Sequence, residues 1–254
     1  MSRIERAFRT QAIILKRRDF GEADRLLTIF TPDRGKLDVV AKGARKPTST
    51  KTGHVELFTR TDMLIHKGRD LDIVAQAEMN EPYLGVREDL ALGAYASYIA
   101  EMLDRFTGEA DEGYEELFDL MDDTLDRLCV DTDPRLAVRY FEMQLLDLVG
   151  FRPELTECVV SREEIEAEDQ FFSYPMGGVV KPGYAHEGMG VVPVTMLTLK
   201  LLRHMQRSPY SHVKTLTITS ALHDDAERLL LGYITFLLER KLQSVDFIRR
   251  IRQL

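Results

Sequence analysis

Apolar and polar residues alternate in short runs through the first eighty positions of the chain. Runs of this length with β-branched residues are typical of β-strands, and glycine-containing turn sequences separate them. The turns include Pro32-Asp33-Arg34-Gly35 and Lys67-Gly68-Arg69, where glycine can supply the positive φ of a tight turn. The pattern predicts five strands, at residues 12–15, 26–30, 37–41, 55–65 and 71–77.

Five short strands in an open sheet would leave two unpaired edges. Closure into a small barrel such as an OB-fold removes those edges. We therefore expect a five-stranded barrel domain at residues 1–80.

The apolar residues take up helical spacing after Pro82, and residues 81–254 are predicted to form a mainly α-helical domain. One helix has clear ends, because Asp133 can cap it, Pro134 suits its first turn and Gly150 can end it. Further helical patterns cover residues 90–103, 117–128, 193–206, 220–241 and 247–251. Residues from about 152 to 192 are rich in Gly and Pro and predict an irregular or β-rich insert. The fold class is α+β.

Charge is distributed unevenly between these two parts. Residues 1–80 carry 16 Lys+Arg against 11 Asp+Glu, whereas residues 81–254 carry 18 against 31. The first part can attract phosphate although the whole chain has a net charge of −8. No apolar run suits a membrane span or a signal peptide, so we expect a cytoplasmic protein.

Basic residues fall near the predicted strand ends and turns, where their side chains can converge on one face. Several modest phosphate contacts give salt-sensitive affinity for nucleic acid without reading its sequence. In Ala41-Lys42-Gly43-Ala44-Arg45-Lys46, the glycine lets the backbone approach an anion closely. Strand ends with solvated lysines are the alternative. The candidate cations are Lys16, Arg17, Arg18, Arg25, Arg34, Lys36, Lys42, Arg45, Lys46 and Lys51.

Three phenylalanines could stack on unpaired bases or fill the barrel core. Phe30 lies in an apolar strand and is expected inside, as core is the usual place for such a residue. Phe58 is open to either role. Phe20 stands beside Gly21 in a turn and is the best exposed candidate for stacking.

The segment 101–133 is strongly acidic, with 13 Asp+Glu and two Arg. Its carboxylates favour a solvated helix face, with a basic protein partner or a nuclease-like divalent metal site as alternatives. The histidines lack metal-ligand spacing, and no nucleophile stands with a base in a known motif. We expect no catalytic site and no cofactor.

Eight short segments follow one another along the chain: Gly21-Glu22-Ala23-Asp24-Arg25, Arg34-Gly35-Lys36, Val40-Ala41-Lys42-Gly43-Ala44-Arg45, Ala75-Gln76-Ala77-Glu78, Phe141-Glu142, Gly150-Phe151, Glu157-Cys158 and Gly177-Gly178. In this order they resemble the pattern of one family, the bacterial RecO recombination-mediator proteins. The resemblance implies an N-terminal OB-fold, a helical domain and a zinc-ribbon-like insert.

The resemblance also implies a function in recombinational repair. Members bind single- and double-stranded DNA, anneal complementary strands and, with RecR, help RecA replace single-strand-binding protein, so association with the nucleoid is expected. The acidic tail of single-strand-binding protein docks on the helical domain. Arg139 is our candidate for that contact, with Arg135 one turn earlier, and pairing with nearby carboxylates is the alternative use of both.

The chain departs from the family pattern at the insert. Many members carry four zinc-ligating cysteines there, but here Cys158 is followed by Ser161 and no cysteine accompanies Gly177-Gly178. Four-coordinate structural zinc cannot be built from one cysteine. We expect no bound zinc and an insert held by aromatic packing. Two other functions stay open, a metal-dependent nuclease or phosphoesterase using Asp122 and Asp123, and an RNA-binding adaptor.

Overall fold

The structure is a computed structural model that describes residues 6–108 and 114–252. Its N-terminal strands close into a barrel in the order β1-β2-β3-β5-β4, with β4 pairing back onto β1. Strands β3 and β5 are parallel and the other pairs are antiparallel. The predicted five-stranded, OB-like barrel is therefore confirmed. The strands are β1 (Ala7–Phe20), β2 (Asp24–Thr31), β3 (Gly35–Ala41), β4 (Arg60–His66) and β5 (Asp72–Glu81).

Alternating apolar side chains fill the barrel. Leu27 and Ile29 on β2 and Met63 and Ile65 on β4 are fully or almost fully buried. The residues between them, Thr28 and Leu64, face the other side of the strand and are only partly buried. The pairing of β1 with β2 shifts register after Ile14, and such an irregularity re-aims the side chains that follow it. The barrel thus has an apolar core.

The predicted strand at residues 55–65 is shorter in the structure, because β4 begins only at Arg60. The preceding residues form a loop that packs against the barrel core through Val55 and Leu57, and Phe58 donates its N–H to Ile14 O at 2.9 Å. Phe58 has a φ of 59°, which a strand cannot adopt. Val55 and Phe58 are apolar because they are buried in this loop, not because they continue the strand.

Eight helices follow the barrel within the described residues. They are α1 (Leu84–Glu88), α2 (Leu90–Phe106), α3 (Glu115–Val130), α4 (Pro134–Leu148), α5 (Met196–Arg207), α6 (Tyr210–Val213), α7 (Ser220–Leu238) and α8 (Gln243–Ile251). None of them is long and apolar enough to span a membrane.

The chain forms two compact units. One groups the described parts of Met1–Asp131 and Ser244–Leu254, and the other is Thr132–Gln243. The domain limit that we predicted at residue 80 falls at the end of β5, whereas α1, α2 and α3 share the compact unit of the barrel. In that unit α2 packs against β1 and α3 against β2.

The second unit begins with the helix whose ends the sequence indicated. Asp133 accepts a hydrogen bond from Leu136 N at 3.0 Å, Pro134 occupies the first turn, and Gly150 has a φ of 82° just beyond the end. These observations confirm the predicted α4. The helix predicted at residues 193–206 starts later than expected, because Val191–Val194 pair with Gln170–Ser173 as strands.

The predicted β-rich insert is a small antiparallel sheet. Its strands β6 (Gln170–Ser173), β7 (Gly178–Val180) and β8 (Val191–Val194) lie in the order β7-β6-β8. Phe172 and Val179 are buried, and the Phe172 ring contacts Tyr174 and Tyr233. Phe171 is half-buried. Aromatic packing of the kind expected from the sequence therefore accompanies this sheet.

Candidate nucleic-acid interface

The basic loop that follows β3, residues 42–52, is tied down by hydrogen bonds at both ends. Arg45 N donates to Ala23 O at 2.9 Å, and Thr52 Oγ1 donates to Ala44 O at 2.8 Å. Ala44 is fully buried and anchors the middle of the loop. Because hydrogen bonds hold the backbone in this way, the positions from which the charged side chains of the basic loop extend are fixed.

Gly43 has the positive φ, 68°, that only glycine adopts without strain. Its N–H donates to Asp24 Oδ1 at 2.7 Å. The sequence suggested that an external anion could approach this backbone, but the carboxylate of Asp24 already occupies that position. The glycine therefore shapes the loop, and phosphate contacts fall to the side chains.

Three cations of the basic loop, Lys42, Arg45 and Lys46, are exposed. Arg45 contacts the turn between β1 and β2. Its Nη2 lies 3.3 Å from Asp19 Oδ2, and its Nη1 donates a hydrogen bond to Glu22 O at 3.3 Å. Among the described residues, no carboxylate pairs with Lys42 or Lys46. Lys51 is half-buried and its Nζ donates to the Lys42 carbonyl at 3.4 Å.

The turn that Arg45 contacts also carries Phe20, whose side chain is 44% exposed. Phe30 is completely buried and Phe58 is 8% exposed, so both belong to the core. Of the three phenylalanines, Phe20 alone has a ring face accessible to a base. The exposed aromatic ring and the basic loop lie on neighbouring turns of the barrel.

Lys16 on β1 and Lys36 on β3 both contact Asp104 of α2. Lys16 Nζ lies 2.6 Å from Asp104 Oδ2, and Lys36 Nζ lies 3.4 Å from Oδ1 and donates to the Thr107 carbonyl at 3.0 Å. Burial alone would raise the pKa of Asp104, but the two lysines outweigh it and hold that pKa below its usual value. Lys16 remains 52% exposed, whereas Lys36 is largely covered.

Arg17 and Arg25 converge on a second carboxylate, Glu56. Arg17 pairs with Glu56 Oε2, and Arg25 Nη1 lies 2.9 Å from Oε1. A third arginine, Arg87 of α1, stands 3.9 Å from Oε2. We call these three arginines, together with Glu56, the arginine cluster. The sequence did not indicate Arg87, because no local pattern connects α1 to the turn that carries Glu56.

Two predicted cations of the barrel remain, Arg34 and Arg18, and Arg34 contacts an aromatic ring. Its guanidinium carbon lies 4.1 Å above the ring of Phe8, and its Nε is 3.5 Å from Asp33 Oδ2. Such a cation–π contact fixes the side chain at the end of the barrel. Arg18 is exposed near the end of β1.

The acidic helix α3 uses its central carboxylates within the fold. Asp122 accepts from Arg60 Nη1 at 2.6 Å and from the Tyr83 hydroxyl, and Asp123 pairs with Arg127 at 2.6 Å. Part of the predicted acidic segment, residues 109–113, lies outside the described residues. In residues 6–108 and 114–252, no three His, Cys, Asp or Glu side chains are grouped as metal ligands.

The two arginines predicted to contact a partner lie on α4 and differ in accessibility. Arg139 is 3% exposed and lies 3.0 Å from the buried Glu142 carboxylate, so pairing within the fold is the use that is observed. Arg135 pairs with Asp224 at 2.5 Å and with Glu227 at 3.5 Å, and 22% of its side chain is exposed.

The insert does not offer a zinc site. Cys158 Sγ accepts backbone N–H groups from Ser161 at 3.5 Å and Lys181 at 3.4 Å. Burial would raise the pKa of the Cys158 thiol, but these donors outweigh it and lower the pKa. With one cysteine and no second ligand set among the described residues, the side chains present do not fit zinc.

Two family models match successive parts of the chain, and only three residues separate the two matches. The model described as the N-terminal part of recombination protein O matches residues 1–83. The model described as its C-terminal part matches residues 87–246. The border between the matches lies just after β5, where the barrel ends.

Relatives of the chain align over nearly its whole length. Proteins named DNA repair protein RecO are 38% identical over 98% of this chain and 88% of their own in Roseiflexus sp., and 34% identical over 96% and 94% in Desulforamulus reducens. A third, from Dehalococcoides mccartyi, is 32% identical over 96% of both chains. These relatives give no support to the nuclease or RNA-adaptor alternatives. The chain belongs to the RecO family of recombination and DNA repair proteins.

Proposed function

We propose that the chain binds single- and double-stranded DNA without reading its sequence and acts as a recombination mediator. The observation that carries this proposal is the ordered basic loop, which presents Lys42, Arg45 and Lys46 to solvent beside Phe20. Each cation that neutralises a phosphate releases condensed counterions, so the affinity is salt-sensitive and independent of sequence. The role in DNA repair agrees with the printed names of the relatives.

The proposed interface extends from the basic loop over the outer face of the barrel. Cations of the basic loop meet the phosphates directly, whereas those paired with Asp104 or Glu56 exchange a carboxylate for a phosphate. Phe20 stacks on an unpaired base, a contact worth about 1–3 kcal/mol. A strand held by its backbone leaves its base edges free, which suits annealing to a complement. The proposed contacts are Lys16, Arg17, Arg25, Arg34, Lys36, Lys42, Arg45, Lys46 and Lys51.

The same proposal includes protein partners. With RecR, the chain would help RecA replace single-strand-binding protein on DNA, in the cytoplasm at the nucleoid and without a catalytic step of its own. Of the two arginines considered for the acidic tail of single-strand-binding protein, Arg135 is the accessible one. Arg139 is buried and pairs with Glu142 on the same helix.

The decisive experiment replaces Lys42, Arg45 and Lys46 together by alanine and measures DNA affinity by fluorescence anisotropy over a range of salt. We expect weaker binding to every sequence and a salt slope that is shallower by about 2, since each lost phosphate contact removes about 0.7–0.9. A matched control replaces Lys200, Arg207 and Lys214, which are also exposed and remove the same charge.

Annealing of strands coated with single-strand-binding protein tests the mediator role with the same proteins. The basic-loop variant should anneal more slowly than the wild type, and the control should not. Unchanged affinity and annealing in the basic-loop variant would contradict the proposal.

A further inference from the structure

Glu56 stands where three positively charged side chains meet, and among the described residues no other carboxylate is paired with them. Its two oxygens face Arg17, Arg25 and Arg87, the last at 3.9 Å. A phosphodiester also carries one negative charge on two accessible oxygens, and guanidinium groups bind both anions in the same geometry. We infer that the arginine cluster is a phosphate site for DNA and that Glu56 occupies it as a competing internal anion. This inference rests on the proposed function.

Hydrogen bonds of the neighbouring residues hold the backbone of the loop that carries Glu56, and they keep its carboxylate close to the arginines. Phe58 N donates to Ile14 O at 2.9 Å, Ile14 N donates to Thr59 O at 3.2 Å, and Thr59 Oγ1 donates to Glu56 O at 2.8 Å. Phe58 is buried in the core, whereas 22% of the Glu56 side chain is exposed. Only the side chain of Glu56 has to move for a phosphate to take its place.

The cluster retains binding capacity beyond its one carboxylate. Three guanidinium groups meet a single charge of Glu56, and Arg25 Nε is buried with no acceptor among the described residues. The side chains of Arg17 and Arg87 are 27% and 30% exposed. The site is therefore reachable from solvent and has donors to spare.

Ligand-binding cavities typically enclose about 300–1,000 Å³, and the open cavity beside the cluster measures ≈ 370 Å³. It is lined by Arg17, Glu56 and Arg87 and also by the exposed Leu90 and Phe247. Asp89 also lines it, but its carboxylate accepts N–H groups from Ala91 and Leu92 at 2.8 and 2.9 Å. The cavity thus pairs an anion site with apolar surface, as a phosphate and its base require.

Partly exposed ion pairs contribute little to stability, so the cluster can lose its carboxylate without unfolding the barrel. Its net charge then rises by one. We expect Glu56→Gln to bind single-stranded DNA several-fold more tightly at low salt, with a salt slope steeper by about 0.7 for the added phosphate contact. The control is Glu78→Gln, which removes the same charge from an exposed position on β5.

Arg87→Ala tests the cluster from the other side. It should weaken binding and make the salt slope shallower, and its effect should be larger in the Glu56→Gln background, where no carboxylate competes for Arg87. Anisotropy titrations of the four proteins give both results, and denaturant unfolding confirms that each is folded.

The outcomes separate this inference from the proposed function. Weaker or unchanged binding by folded Glu56→Gln, or an equal gain with Glu78→Gln, would overturn the role of Glu56 even if the basic-loop variant loses affinity as proposed. If the wild type binds no DNA, the proposed function itself fails. Should Arg87→Ala bind as tightly as the wild type in both backgrounds, the phosphate site would not include α1.

Discussion

Single side chains decide how much positive charge on the barrel is available to a ligand. Lys42 and Lys46 are exposed without a carboxylate partner among the described residues, whereas Lys36 is covered at Asp104 and Arg25 at Glu56. Two lysines thus offer their full charge at once. The paired cations require an exchange of partners, which lowers the affinity gained from each.

Burial of one histidine links the stability of the second unit to pH. His223 is 5% exposed and its Nε2 lies 2.9 Å from Oδ2 of Asp133, the residue that caps α4. Burial lowers the pKa of His223, and the nearby Asp133 only partly opposes this. The neutral ring is the one that fits the fold, so the unfolded chain takes up a proton more readily than the folded one.

We therefore expect stability to be at its full value above the unfolded histidine pKa of about 6.5 and to fall as the pH drops below it. His223→Gln, which keeps a hydrogen-bond donor, should be less dependent on pH in this window. Urea unfolding at a series of pH values measures the effect, with His212→Gln as the control at an exposed position. Parallel pH profiles for the wild type and His223→Gln would refute this account.

At the scale of elements, the sequence predicted what local chemistry determines. The ends of α4 follow from Asp133, Pro134 and Gly150, and the barrel strands follow from alternation. The start of β4 was not predicted correctly, because Phe58 is an apolar residue of a loop that packs against the barrel core and not of the strand. The start of α5 was missed because Val191–Val194 are strand residues only through pairing with β6.

The candidate site divides in the same way. The basic loop was predicted, because its cations follow one another in the chain. The partners of the other cations were not, since Glu56 and Asp104 are brought to Arg17 and Lys16 by the tertiary fold. No periodicity carries that information, and Arg87 was overlooked for the same reason.

A glycine inside α7 records how closely the insert approaches this helix. Glycine in a helix interior usually costs about 1 kcal/mol relative to alanine. At Gly232, however, a methyl group would overlap the hydroxyl and Cζ of Tyr174, whose ring packs against Phe172. The close approach explains why the helix accepts the weaker helix former.

We expect Gly232→Ala to lower the free energy of unfolding, by about 1–3 kcal/mol for an overpacked site. In a Tyr174→Ala background the same change should instead be stabilising by up to about 1 kcal/mol, because the helix preference then acts alone. Thermal or urea unfolding of the four proteins gives the two differences. Gly183→Ala, at a glycine with open space around it, is the control. A stabilising Gly232→Ala in the wild-type background would show that Tyr174 moves aside freely.

On the scale of the whole molecule, the negative charge is concentrated in the segment that directly follows the barrel in the sequence. Residues 81–131 carry 15 Asp+Glu against 3 Lys+Arg. The charged residues of α3 that point outward, such as Glu116, Asp119 and Asp126, are exposed, as the sequence indicated. The described residues of this segment belong to the same compact unit as the basic loop. DNA that approaches this compact unit is therefore attracted by the basic loop and repelled by the acidic residues of α3.

Repulsion of this kind acts through space and is screened by salt, with a Debye length of about 10 Å at 0.1 M and 3 Å at 1 M. Replacing Glu116 by Gln and Asp119 and Asp126 by Asn should therefore raise the rate of DNA association at low salt, and the gain should vanish as salt increases. None of these acids is a proposed phosphate contact, so the dissociation rate should stay unchanged. Stopped-flow fluorescence with labelled single strands measures both rates. A gain that persists at high salt, or one that resides in slower dissociation, would mean that α3 touches the DNA and that the interface extends beyond the barrel.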